Sequence, residues 1–198
     1  DSLISYNMSK GIDSNFSGTS GTINWKVYKN YPKQGKTAYL DFFAADRYLC
    51  IEPMENIDWQ LTDNTDTICG YPCHEAIAKF KGRTWKAWYA EDIPLDNGPW
   101  KLGGLPGLIL KACDTENNYT FTAIGLTQGK VSTPIYYKGK TFEPIDRKSL
   151  TSLYKKYYAD PIGYLFQNKK YANVIIKDDK GNILKHSKKA EPYNPIER

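Results

Sequence analysis

Residues 73–90 constrain the fold more than any other stretch of the chain. Two runs of alternating character flank a Lys81-Gly82 pair. A period of two is the period of a strand. A two-residue connection ending in Gly suits a turn whose central residues need positive φ. The segment therefore reads as a hairpin, Cys73–Phe80 against Arg83–Ala90. In that register Phe80, Ala78, Ala76 and His74 share a face with Arg83, Trp85, Ala87 and Tyr89. Lys79, Ile77, Glu75, Cys73, Thr84, Lys86 and Trp88 lie on the other. The first set is the more apolar and is expected inward.

Other strands are expected at Ile23–Tyr28, Thr37–Phe43, Arg47–Glu52 and Trp59–Thr62. A second hairpin runs Leu108–Cys113 to Tyr119–Ile124, with Ala112 opposite Phe121. That register puts Leu108, Leu110, Ala112, Phe121 and Ala123 on one apolar face. One helix is marked by Asp146 as a cap and by Leu150, Leu153, Tyr154, Tyr157 and Tyr158 at helical spacing. Asp160-Pro161 ends it. A last hairpin is expected from Ala172–Lys177, a turn over 178–181, and Asn182–Lys185. Residues 1–37 read as loosely structured and 186–198 as an extended tail. There is no internal repeat or linker, so 1–198 reads as one domain. The class is α+β and β-rich: a curved antiparallel sheet or half-open barrel with one main helix packed on it.

The composition excludes several functions. The 198 residues carry 27 Lys+Arg and 22 Asp+Glu, a net charge of +5, and the lysines are scattered. That is no basic stripe with interleaved aromatics, so nucleic acid is not an expected partner. No apolar run reaches the ~18 residues of a membrane span. Only two His are present. Cys69-x3-Cys73-His74 lacks a second ligand pair, and adjacent strand residues point to opposite faces, so no metal is expected. No cofactor is expected either, because Gly103-Gly104-Leu105-Pro106-Gly107 precedes a strand rather than a helix. The even count of Cys50, Cys69, Cys73 and Cys113 suggests two bridges in an exported protein. Short chain separation favours Cys50–Cys69, leaving Cys73 with Cys113. The absence of Met before Asp1 fits a removed signal peptide.

Catalysis would need a nucleophile with a base, or converging carboxylates. Cys113-Asp114 with His74, Glu91 with Asp92, and Asp58 with Asp63 are the available combinations. None sits in a recognisable signature, and no catalytic residue is expected.

The string Gly98-Pro99-Trp100-Lys101-Leu102-Gly103-Gly104-Leu105-Pro106-Gly107-Leu108-Ile109-Leu110 contains GLPGLI. With Cys69-Gly70-Tyr71-Pro72-Cys73-His74-Glu75-Ala76, with Phe80–Tyr89 and with the closing Tyr193-Asn194-Pro195-Ile196-Glu197, it resembles the GLPGLI family. That family comprises exported cell-envelope proteins of Bacteroides-type Gram-negative bacteria, with no established activity. The resemblance implies a periplasmic or outer-membrane-associated protein. Its organisation is similar to the outer-membrane lipoprotein carriers.

The expected function is a non-catalytic carrier for an apolar or amphipathic ligand held between sheet and helix. Two rivals stand beside it. One is a module docking an envelope partner through exposed tyrosines, Trp88 or Trp100. The other is an enzyme using His74 or a carboxylate. The motif residues Arg83, Trp88, Pro94, Gly98, Pro99, Trp100, Lys101, Gly104, Leu105, Pro106, Gly107, Leu108 and Ile109 are the candidate site, as a structural turn or as a binding rim. Arg83 is expected either in solvent or clamping the loop's carbonyls through its five donors. Gly104 or Gly107 is expected in a conformation closed to other residues.

Overall fold

The computed structural model describes residues 25–43, 46–127, 129, 135–167, 175–178, 180–186, 190 and 192–198. The first 24 residues of the expected loose segment lie outside the described residues. From Trp25 the segment is ordered into strand and turn: β1 (Trp25–Lys29) pairs antiparallel, across a turn over 30–35, with β2 (Lys36–Phe43). β2 pairs with β3 (Asp46–Pro53), and β9 (Glu143–Pro144) adds in parallel to β3. A second sheet holds β4 (Gln60–Ile68), β5 (Tyr71–Phe80), β6 (Arg83–Ala90), β7 (Leu108–Asp114) and β8 (Thr120–Thr122) in that order. The curved sheet or half-open barrel expected is instead a four-stranded and a five-stranded open sheet with a separate two-stranded hairpin, and no closed barrel forms among the described residues. β10 (Ile176–Lys177) and β11 (Ile183–Leu184) form the last hairpin, shorter than expected. Residues 172–174 and 179 of that expectation lie outside the described residues.

The central hairpin has the expected register, Phe80↔Arg83, Ala78↔Trp85, Ala76↔Ala87 and His74↔Tyr89. Lys81 and Gly82 take φ of 52° and 77°, as the turn requires. Phe80, Ala76, Trp85, Ala87 and Tyr89 are buried in one core with Trp100, Leu102, Leu105, Ile109 and Ala112. His74, expected inward, is exposed, while Cys73 and Glu75 behind it are buried. The physical reason is a second core on the opposite face of this end of the sheet, built from Ile68, Cys73, Ala90, Ile93, Leu108 and Leu110. The start of the loop after β6 folds back there through Ile93, whose carbonyl accepts from Leu108 N–H at 3.0 Å.

The second hairpin has the expected Ala112↔Phe121 pair. Its apolar face, however, is split. The β6–β7 pairing steps from Trp88↔Lys111 to Tyr89↔Ile109, which leaves Leu110 as the extra residue of a bulge. Alternation inverts across it. Ile109 and Ala112 face the first core; Leu108 and Leu110 face the second.

The helix α1 (Arg147–Ala159) starts where the Asp146 carboxylate accepts from Ser149 N–H at 2.9 Å. It buries Leu150 against Tyr39, Tyr48 and Cys50 of the first sheet. A second helix, α2 (Pro161–Gln167), follows. Pro161 stops the first helix and opens the second, because the first helical turn needs no N–H from it. No helix among the described residues is long and apolar enough to cross a membrane.

Candidate functional site

Register places Val27, Tyr39 and Cys50 on one face of the first sheet. Lys29, Thr37 and Glu52 share it, as do Asp41 and Tyr48. Onto this face α1 brings Arg147. Its guanidinium grips Glu52 twice, at 2.9 and 3.2 Å, and lies 4.3 Å from the centre of the Tyr39 ring. Lys101 reaches in from the GLPGLI segment to Glu52 and, at 2.5 Å, to Glu197. Arg147 also approaches Glu197 at 3.5 Å. Two cations and two carboxylates from four separate parts of the chain thus make a charge-balanced junction. Without such pairing, charges this far out of water are costly.

Titration follows from these contacts. Burial opposes the Glu52 carboxylate, but the hydrogen bonds and charges of Arg147 and Lys101 hold it below the usual carboxylate range. Asp41 is pushed up to about 6 by burial, against the pull of Arg147 and of the Phe42 N–H. Burial also drives the Tyr39 phenol well above its ordinary value. The pocket beside the junction, lined by Lys29, Glu52, Lys81 and Lys101 among others, is about 20 Å³. That is room for about one water and none for a sugar ring.

Lys29 clamps the loop. From the end of β1 its ammonium donates to Asn97 Oδ1 and the Gly98 carbonyl, both at 2.9 Å, and to the Leu102 carbonyl. Burial pushes it down to about 7, with Asp96 pulling the other way. Arg83 was the residue expected to hold the loop carbonyls or to sit in solvent. It does neither. It is buried against Asp114 at 2.6 Å and donates to the Pro195 carbonyl and the Asn194 side chain. It therefore clamps the C-terminal segment.

Within the GLPGLI segment, Gly98, Pro99, Trp100, Leu105, Gly107, Leu108 and Ile109 are buried, while Pro94, Gly104 and Pro106 are exposed. Trp100, at φ 50°, packs on Phe80 and Trp85, and its buried indole N–H has no partner. Gly104 has the expected positive φ, 83°, and its N–H meets Asp96. Gly107 does not. It is required because a Cβ there would lie 2.2 Å from the Ala90 carbonyl oxygen. Trp88 is half-buried on the other face of the second sheet, with Lys111 over its ring at 4.5 Å.

The remaining candidates stay apart. Cys50, Cys69, Cys73 and Cys113 are all free thiols, so neither expected bridge is formed. Cys50 belongs to the first sheet, and Cys69 to the β4–β5 turn of the second. Glu91, Asp92, Asp58 and Asp63 are exposed, and no metal-binding group of three or more His, Cys, Asp or Glu occurs among the described residues. Asp114, offered as a neighbour to a Cys113 nucleophile, is consumed by Arg83 and by the Tyr119 N–H. Sequence reasoning missed Lys29, Glu52, Arg147 and Glu197. The one signal for Lys29 is its place in the alternation Trp25, Val27, Lys29.

A family model described as N-glycanase peptide, N-terminal domain, matches residues 42–151, from the end of β2 into α1. Among solved structures the chain is similar to PNGF-II in two crystal forms. In space group P21 the identity is 16% over 59% of this chain, with a TM-score of 0.42. In space group C2 it is 20% over 59% of this chain, with a TM-score of 0.44. The chain spans 22% of the length of either. No curated protein matches it in sequence. The family match overturns the GLPGLI assignment, whose central motifs over 69–110 fall inside the matched span. It also overturns the reading as a non-catalytic carrier of apolar ligands, since the matching family is one of N-glycanases; of the readings weighed from sequence, the enzyme fits better.

Proposed function

The chain belongs to the N-glycanase peptide N-terminal domain family, and on that premise we propose that it works in the enzymatic release of N-linked glycans, engaging the glycan-bearing polypeptide. The match over 42–151 is the observation that carries the reading. The geometry supports a surface rather than a buried site for the glycan. The junction of Glu52, Lys101, Arg147 and Glu197 is closed by its own ion pairs beside a pocket of about 20 Å³. A glycan needs an open face with rings and hydrogen-bonding groups. N-linked glycans sit on exported polypeptides, so the proposal places the chain outside the cytoplasm, in the periplasm or at the outer membrane, acting as one domain over 1–198.

The test uses the chain with a fluorophore-labelled N-glycopeptide and the same peptide without its glycan. Binding is read by anisotropy and released glycan by mass spectrometry. The glycopeptide is expected to bind at least about tenfold more tightly, a difference of ~1.4 kcal/mol. Equal affinity for both peptides, or binding to neither without glycan release, overturns the reading.

A further inference from the structure

Two stretches without a single carboxylate, 25–40 and 135–142, meet at one edge of the first sheet and bring Lys26, Lys33, Lys36, Lys138 and Lys140 with them. Between them lies a cluster of tyrosines. Tyr31 and Tyr137 rings are 4.3 Å apart, Tyr28 and Tyr137 5.2 Å, and Tyr28 and Tyr31 6.3 Å. The Tyr28 hydroxyl donates to the Tyr136 carbonyl at 3.0 Å and takes a bond from the Lys138 N–H, so it fixes the second stretch on the first. Tyr136 is 69% exposed and Tyr31 37%.

Lys26 and Lys138 are both exposed; partial burial and then the nearby Lys138 charge disfavour the charge on Lys26, yet neither lysine has an ion-pair partner among the described residues. A surface that gathers cations without counter-charges favours an anion. The tyrosine faces are tilted against one another by 39°, 52° and 78°. Such a surface offers no parallel slot for a run of stacked bases. It does offer separate ring faces to the C–H faces of sugar rings, with phenol hydroxyls at the edge.

We propose that the patch of Tyr28, Tyr31, Tyr136 and Tyr137 with Lys26 and Lys138 binds acidic N-linked glycans, sugar rings lying on the tyrosines and a terminal carboxylate between the lysines. This rests on the N-glycan reading above and names the glycan class and the place where it is held.

Calorimetric titration with a sialylated biantennary N-glycopeptide, its desialylated counterpart, the bare peptide and a single-stranded oligonucleotide tests it. The wild-type chain is expected to favour the sialylated probe by about tenfold over the desialylated one. Lys26→Glu with Lys138→Glu removes that preference. Tyr31→Ala with Tyr136→Ala weakens both glycopeptides by roughly fivefold or more, in line with aromatic-ring contacts. All four residues are at the surface, and unchanged circular dichroism and unfolding midpoints establish that the variants fold. If glycopeptides bind but the variants behave as wild type, the patch is overturned and the N-glycan reading survives. If wild type binds no glycopeptide and releases no glycan, both fall. Preference for the oligonucleotide overturns the assignment to glycans.

Discussion

Lys29 is the last residue of β1, and its ammonium is surrounded by three oxygens of the 97–102 loop. Because burial holds it at about 7 in the folded chain, against an ordinary 10.5, the unfolded chain binds more protons between those values. Stability then rises with pH across that window, by at most ~1.4 kcal/mol per unit. Below about pH 7 both states hold the proton and the contribution is flat. Lys29→Met removes the titration. The difference in urea-unfolding free energy, wild type minus variant, is expected to grow between pH 7 and 9.5. A constant difference means that Lys29 keeps its proton throughout. The sequence showed a lysine at an inward strand position but not its acceptors, the Asn97 side chain and two backbone carbonyls 68 to 73 residues away.

At the scale of elements, the bulge at Leu110 and the loop before it set the register of the second sheet. Gly107 lies where the backbone of 107 passes the backbone of Ala90, and a Cβ there would meet that carbonyl at 2.2 Å. Gly107→Ala is expected to destabilise by about 1–3 kcal/mol, since only backbone movement can relieve the contact. Gly125→Ala, with nothing within 4 Å of its added Cβ, should change stability by less than about 0.5 kcal/mol. Chemical denaturation of the two variants side by side checks this. Equal midpoints mean that the loop relaxes. The central hairpin was legible because its alternation is unbroken and its turn has its glycine. The face of β7 was not, because one inserted residue inverts a period-two pattern without changing composition.

At the scale of the molecule, the C-terminal segment ties distant parts together. Arg83 and Asp114 form an ion pair with side chains 1% and 2% exposed, and Arg83 holds the segment through Pro195 and Asn194. Arg198 N–H donates to the Lys81 carbonyl, and Glu197 joins Lys101 and Arg147. Arg83→Met leaves Asp114 buried and unpaired, which costs about 3–5 kcal/mol. It should also release residues 193–198, read as faster proteolytic cleavage there. Unchanged stability and cleavage would show that the segment is held without Arg83.

Local alternation, turn chemistry and caps act over a few residues. The sequence therefore determined by itself the central hairpin with its Lys81-Gly82 turn, the strands β2 and β3 and the helix start at Asp146, but not β9, the full length of β4 or the helix after Pro161. Which face of each strand is covered, which lysine is buried and which carboxylate faces Arg147 depend on segments tens of residues apart. Only the tertiary structure decided those, because burial and pairing are properties of what packs against a residue and not of the residue's neighbours in the chain.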